Sequence, residues 1–194
     1  MRFVKDDKIA MERLKKGELD YIDMTAENYE KDAVGPEWGK TVEKLKVQNK
    51  MPKQFGYFGW NLTKPLFLDS NVRIALSHLF NREEMNKKFR YGYSRLATGP
   101  IYIQSEYANP KVKPIEFNPK KAVELLKAAG WVDSDKNGIL DKTTDGNKVE
   151  FKFENMYSNK NGEKYLTFYQ EDLKKAGIDM SIKYVEWNAL MKAT

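Results

Sequence analysis

The stretch of this chain best suited to chemistry is an acidic loop, Asp-Ser-Asp-Lys-Asn-Gly-Ile-Leu-Asp, at positions 133–141. Oxygen atoms spaced in this way around a glycine suit a hard cation such as calcium. The candidate ligands are four side chains and one backbone carbonyl: Asp133, Asp135, Asn137, Asp141 and the carbonyl of Ile139. Thr144 stands where a calcium loop of this type carries a bidentate glutamate, so the predicted calcium affinity is weak.

The same loop has a second interpretation that needs no metal. Aspartate, asparagine and glycine are typical of turns in which short polar side chains accept hydrogen bonds from their own backbone. The sequence therefore leaves two alternatives open at 133–141: a weak calcium site, as in a calcium-stabilised extracellular interaction module, or a metal-free turn.

A second candidate site is the loop Met-Tyr-Ser-Asn-Lys-Asn-Gly at 156–162, between a predicted strand at 148–155 and a predicted helix. In α/β folds, ligands bind beyond the carboxyl ends of strands. Tyr157, Ser158 and Asn159, together with the start of the next helix, suit hydrogen bonding to a peptide or a carboxylate. A solvated loop without a ligand is the alternative.

Several kinds of catalytic site find no support in the sequence. The chain has no cysteine, which excludes disulfides, thiolate metal sites and a cysteine nucleophile. His78 is the only histidine; it lies on a predicted helix, where we expect a partly exposed side chain, and no triad pattern accompanies it. No glycine-rich phosphate loop is present. We therefore expect a protein that is not an enzyme, with a carboxylate-dependent hydrolase as the less favoured alternative.

The charged residues are mixed rather than clustered. The net charge of +6 arises from 34 basic and 28 acidic residues interleaved along the chain, which predicts a solvated surface and no nucleic-acid partner. Apolar residues make up 41% of the 194 positions, which is enough for one domain with a sizeable core. No apolar run approaches the roughly 20 residues of a membrane helix.

Apolar spacing and end signals predict the elements that must position these loops. Helical periodicity combined with capping residues or glycine stops predicts helices over 6–16, 69–80, from Glu83, over 118–129 and over 163–176. Alternating or aromatic runs predict strands at 2–5, 19–23, 45–47, 54–60, 148–155 and 180–186. The strand–helix–strand order at the start predicts parallel pairing and an α/β fold, with an extended loop over 101–117.

Two segments resemble a known family, the extracellular solute-binding proteins of family 5, which are peptide, dipeptide and nickel receptors of ABC importers. One segment is Asn-Pro-Lys-Lys-Ala-Val-Glu-Leu-Leu-Lys-Ala-Ala-Gly-Trp at 118–131. The other carries Trp60-Asn61, Pro65, Phe67, Asp69, Val72-Arg73, Ala75-Leu76, Asn81-Arg82-Glu83, Gly92 and Gly99-Pro100-Ile101. The family usually has aspartate where this chain has Asn81.

The resemblance implies a fold, a role and partners. The fold would be a mixed sheet flanked by helices, corresponding to the C-terminal lobe of a class II periplasmic-binding-protein-like fold, with residues 1–194 forming one α/β lobe of a larger two-lobe receptor. The role would be capture of an oligopeptide, dipeptide or similar solute outside the cytoplasm, in the periplasm or at the cell surface as a lipoprotein. The missing second lobe and an ABC permease would be partners, and Trp60 and Asn61 further ligand contacts near the hinge.

Overall fold

The computed structural model describes residues 4, 6–48, 51 and 56–193. Six α-helices and four β-strands lie within these ranges, together with short 3-10 and π-helical turns. In chain order they are α1 (Asp7–Lys15), α2 (Ser70–His78), α3 (Arg82–Arg90), α4 (Pro119–Ala128), β1 (Asp141–Thr144), β2 (Asn147–Glu150), β3 (Lys152–Tyr157), α5 (Glu163–Lys175), β4 (Asp179–Tyr184) and α6 (Trp187–Ala193).

The predicted helices are confirmed, and their caps explain where they begin. Asp69 accepts a hydrogen bond of 2.8 Å from the amide of Asn71 at the start of α2. Asn118 does the same at 3.0 Å for the amide of Lys121 at the start of α4. Each cap satisfies an amide that has no partner within its own helix.

Arg73 on α2 pairs with backbone carbonyls. Its guanidinium donates to the carbonyls of Phe67 and Leu68, at 2.6 and 2.8 Å. These carbonyls lie in and just after a short 3-10 turn at Pro65–Phe67, so Arg73 fixes the entry into α2.

The core lies where the apolar face of α2 meets α4 and α5. Val72, Ala75, Leu76 and Leu79 are buried in it, as their helical spacing predicted. His78 is also buried, with only 5% of its surface exposed, so the expectation of a partly exposed side chain was wrong. Its Nδ1 lies 2.9 Å from the carbonyl oxygen of Glu116, which gives the ring a polar partner inside the fold.

The strand predictions near the carboxyl end were right in place but wrong in detail. The predicted strand at 148–155 is two strands, because the fully buried Phe151 marks a change of pairing partner. Before Phe151, β2 pairs antiparallel with β1. After Phe151, β3 pairs parallel with β4, and α5 connects β3 to β4. Val149 in β2 is exposed, whereas Phe151 is fully buried.

The β1–β2 hairpin was missed, although the sequence carries its signal. Asp145 and Gly146 form the two-residue connection, with φ of 50° and 77°. Positive φ at both central positions matches the right-handed twist of a hairpin, and Asp-Gly is one of the dipeptides that best adopts it.

The predicted strands near the amino end are not formed within the described residues. The segments 19–23, 45–47 and 56–60 have no regular secondary structure, and the predicted strand–helix–strand unit is absent there. The expectations at 2–3, 5 and 54–55 lie outside the described residues. A strand requires a neighbour for its backbone hydrogen bonds, and within the described ranges these segments have none. In the segment 45–47, Val47 faces solvent and is 82% exposed.

The fold class is confirmed as α/β, with one parallel and one antiparallel strand pair packed with helices. Among the described residues, none of the helices has the length and apolar character needed to cross a bilayer.

Candidate functional site

The carboxyl ends of β3 and β4 form a shared edge where two tyrosines meet. The parallel register pairs Tyr157 with Tyr184, and their rings contact edge to face with centroids 5.7 Å apart. The Tyr157 hydroxyl donates to Glu163 at 2.6 Å, and the Tyr184 hydroxyl donates to Glu186 at 3.0 Å. The parallel β3–α5–β4 unit therefore brings two aromatic rings and two carboxylates to one end of the strands.

The loop that leaves β3 completes this edge, which we call the strand-end site: Tyr157, Ser158, Asn159, Lys160, Glu163, Tyr184 and Glu186. Asn159 accepts a hydrogen bond of 3.0 Å from the amide of Asn161 and thereby caps a short 3-10 turn that leads into α5. Ser158 is half-buried beside it. The Lys160 ammonium lies over the Tyr184 ring, 4.9 Å from its centroid. The site thus combines both signs of charge with aromatic surface.

The tyrosine hydroxyls act as donors at neutral pH. The hydrogen bond to Glu163 raises the pKa of Tyr157 to about 12, and the bond to Glu186 raises the pKa of Tyr184. A carboxylate acceptor favours the protonated phenol, because a phenolate beside it would be repelled. The phenols are therefore anchored to the carboxylates and are poorly suited to act as bases near neutral pH.

Trp60 and Asn61 lie at the other end of β3. The Trp60 ring packs among core aromatics, and its centroid lies 5.9 Å from that of the Phe153 ring. Phe153 precedes Tyr157 by four residues, which is about 13 Å along a strand. Asn61 is exposed and accepts hydrogen bonds from the amide and hydroxyl of Thr63, at 3.0 and 2.7 Å. The structure does not bring this pair into the strand-end site.

The acidic loop does bring its carboxylates together. Oxygens of Asp133, Asp135 and Asp141 lie within 4.8 Å of one another. The Lys148 ammonium pairs with Asp135 and lies 3.4 Å from Asp141, so a built-in cation already neutralises part of the cluster. Lys148 was not identified from the sequence, because only the β1–β2 hairpin brings it back over the loop.

Backbone hydrogen bonds also occupy this loop, as the metal-free alternative requires. Asp133 accepts from the amides of Asn137 and Gly138 at 3.1 and 3.0 Å. The side-chain oxygen of Asn137 accepts from the amide of Ile139 at 2.8 Å, and its amide group donates to Glu150 at 2.8 Å. Glu150 therefore places a fourth carboxylate beside the loop, from a strand that the calcium pattern does not include.

The electrostatics of the loop favour charged carboxylates. The hydrogen bond from Lys148 lowers the pKa of Asp135. The amide of Ser134, 2.9 Å from Asp141, lowers the pKa of that buried carboxyl despite the opposing effect of burial. Since hydrogen-bonded carboxylates stay ionised, the cluster can accept a cation, in competition with Lys148.

Comparison with known proteins places the whole chain in one family. The family model described as bacterial extracellular solute-binding proteins, family 5 Middle, matches residues 1–194. The chain belongs to this family. The resemblance drawn from residues 60–101 and 118–131 is thereby confirmed.

Individual relatives agree with this assignment. The oligopeptide-binding protein AppA of Bacillus subtilis is 34% identical over 197 residues, covering 98% of this chain and 34% of AppA. The structure of that protein in complex with a nonapeptide matches with a TM-score of 0.72 and 31% identity, covering 97% of this chain and 36% of the other. DppA from Helicobacter pylori, an ABC transporter-associated periplasmic binding protein in complex with the peptide STSA, matches with a TM-score of 0.54 and 30% identity, covering 68% of this chain and 23% of that one.

This family-5 chain spans about a third of the length of the AppA proteins it matches. The comparisons confirm the periplasmic-binding-protein-like fold expected from the resemblance.

Proposed function

We propose that this chain is part of the substrate-binding component of an ABC importer and that it contributes the strand-end site to the binding of a peptide. The observation that carries the proposal is the position of Tyr157, Ser158 and Asn159 beyond the carboxyl end of a parallel strand pair, in a chain whose relatives bind peptides. Ligands of α/β folds bind at such strand ends.

The chemistry of the strand-end site suits a zwitterionic, amide-rich ligand. Glu163 and Glu186 can accept hydrogen bonds from an ammonium group, and Lys160 can pair with a carboxylate. Ser158 and Asn159 add short polar side chains that can bond to peptide groups. The edges of Tyr157 and Tyr184 offer an apolar surface for side chains without selecting one sequence.

The mechanism we propose is capture without chemical change. A second lobe of the same receptor would close over the solute and remove it from water, and the closed form would deliver it to a permease. This role places the protein outside the cytoplasm, in the periplasm or at the cell surface. Trp60 and Asn61 would contact ligand only from the opposite end of β3, near the proposed hinge.

Calorimetric titration of the receptor polypeptide that contains this chain tests the proposal directly. Di- to nonapeptides should bind, and Tyr157→Ala should weaken binding about tenfold through loss of one stacked aromatic contact. Tyr107→Ala is the matched control, because Tyr107 is an exposed tyrosine in the 101–117 loop. An absence of heat with every peptide, or equal effects of the two substitutions, would count against a peptide site here.

A calcium-stabilised loop is the second candidate, and it is compatible with the first. The three carboxylates of the acidic loop, converging within 4.8 Å, favour it. In this role calcium would stabilise the fold at Asp133, Asp135 and Asp141, and Asn137 and the Ile139 carbonyl would complete the ligand set.

A further inference from the structure

A groove between α4 and α5 contains a buried carboxylate. Its cavity measures about 420 Å³. Most of its wall is apolar, formed by Phe117, Pro119, Val123, Phe168 and Ala176. Asp172 also lines it, although only 8% of this residue is exposed. Carboxylates are rarely so buried without full pairing, so the groove requires an explanation beyond packing.

The two oxygens of Asp172 are unequally satisfied. Oδ1 accepts a hydrogen bond of 2.9 Å from the Lys175 ammonium, one turn further along α5. Oδ2 is inaccessible to solvent and has no hydrogen-bond partner among the described residues. An unpaired buried acceptor destabilises a fold, and it does so more when it is charged. Oδ2 of Asp172 therefore lacks a hydrogen-bond donor among the described residues in the resting arrangement.

Lys175 is a weak occupant of this position. Its side chain is 73% exposed, and it reaches only one oxygen. Ion pairs with an exposed lysine contribute little to stability, so another cation can displace it at low cost. An ammonium donates from a single atom, whereas a guanidinium presents parallel N–H groups that match both oxygens of a carboxylate.

We propose that this groove is a binding site for an alkylguanidinium group, which displaces Lys175 and donates to Oδ1 of Asp172; the movement of Lys175 opens Oδ2, which is shielded in the resting arrangement, to a second N–H of the ligand. The apolar stem of the ligand lies against Phe117, Val123 and Phe168. A cavity of this size falls within the usual range for small-ligand sites. The assignment is independent of the strand-end site and does not rest on it.

Titration of the ¹⁵N-labelled chain with n-butylguanidinium, followed by NMR, tests the site. The amides of Val123, Asp172 and Lys175 should shift together and saturably. n-Butylurea, the neutral isostere, should bind at least about tenfold more weakly, because it lacks the charge that strengthens a hydrogen bond to a carboxylate. n-Butylammonium should fall between the two. Equal binding of the urea, or shifts confined to other parts of the chain, would overturn the proposal.

Two variants test the roles of Asp172 and Lys175 separately. Asp172→Asn should reduce n-butylguanidinium affinity about tenfold or more, and it should remain folded because it removes a buried charge. Lys175→Met should increase the affinity severalfold, because the competing ammonium is gone while the aliphatic stem stays. Unchanged affinity in Asp172→Asn, or a loss of affinity in Lys175→Met, would refute the displacement of Lys175.

Two further experiments identify the source of the ligand and test whether guanidinium binding is independent of peptide capture. Tighter binding of N-acetyl-arginine amide than of free arginine would support an arginine of a protein segment, and the reverse order would support a free solute. Tyr157→Ala should leave n-butylguanidinium binding unchanged. A parallel loss in that variant would show that the cation binds at the strand-end site, and would overturn the assignment to the α4–α5 groove.

Discussion

The Tyr157 hydroxyl lies 2.6 Å from the Glu163 carboxylate, across the loop that joins β3 to α5. This bond connects the last residue of a strand to the first residue of a helix, and so holds the loop of the strand-end site in one conformation. It also raises the pKa of Tyr157, and this shift can be measured.

We expect Tyr157 to titrate with a pKa of about 12 and the Glu163→Gln variant to titrate closer to the ordinary value of about 10. The raised pKa means that this bond stabilises the fold fully below pH 10, and that its contribution is lost as pH rises through 12. NMR of ¹³Cζ-labelled tyrosine resolves the titration, with Glu171→Gln as a control on the same helix. A pKa of Tyr157 that is the same in all three proteins would contradict the pairing.

Removal of the Tyr169 hydroxyl should destabilise the core. This buried group donates a 2.7 Å hydrogen bond to the carbonyl of Leu76 in the last turn of α2, where carbonyls lack the donor of a following turn. Tyr169→Phe should lower the free energy of unfolding by about 1–3 kcal/mol, measured by urea denaturation. Tyr157→Phe, which loses a partly exposed hydrogen bond, should lower the free energy of unfolding by less. A larger loss in Tyr157→Phe than in Tyr169→Phe would contradict this explanation.

Gly177→Ala should destabilise more than Gly17→Ala. Both glycines have positive φ, 79° and 71°, which costs about 1–2 kcal/mol for alanine. At Gly177 a new Cβ would also lie 3.0 Å from Cγ of Leu140, whereas at Gly17 it would meet nothing within 4 Å. Thermal denaturation of the two variants therefore separates steric overlap from backbone strain, and equal losses would exclude the overlap.

Lys148→Met should make the acidic loop responsive to calcium. The substitution removes the ammonium that pairs with Asp135 and Asp141, so the remaining carboxylates repel one another. We expect the melting temperature of this variant to be lower than that of the wild type. Added calcium should raise it again, a chelator should reverse that rise, and the wild type should respond less to calcium. Lys183→Met on β4, which removes an exposed ion pair with Glu154 on β3, is the control. If calcium shifts neither variant, the loop is a metal-free turn.

Acidification should weaken the loop through Asp141. Its folded pKa is lowered by hydrogen bonds from Ser134, so its contribution is present above the unfolded value of about 3.9 and is lost as pH falls through the folded value. Urea unfolding between pH 6 and 2.5 should show a shallower acid dependence in Asp141→Asn than in wild type. Asp145→Asn, in the exposed hairpin turn, should retain the wild-type dependence.

Local signals in the sequence determined the helices α1 to α5, but not α6, together with the connecting loop at 101–117 and the family. Capping residues such as Asp69 and Asn118 act on amides within the next turn, and apolar spacing at 72–80 reports one helical face. Both operate over a few residues, so they can be interpreted without knowing the fold. The Tyr157–Asn159 loop could be located in the same way, because it follows a strand pattern and precedes a helical one.

The tertiary structure alone decided how distant residues meet. Whether a strand forms depends on a neighbour: 19–23 and 45–47 have strand patterns but no partner within the described residues, whereas 152–157 has β4. Burial of His78 follows from the packing of α2 against the segment that leads into α4. Lys148 over the acidic loop, Tyr184 beside Tyr157 and the unsatisfied oxygen of Asp172 likewise arise from contacts between elements. Residue spacing along the chain does not predict such contacts, because they depend on where each element packs in the fold.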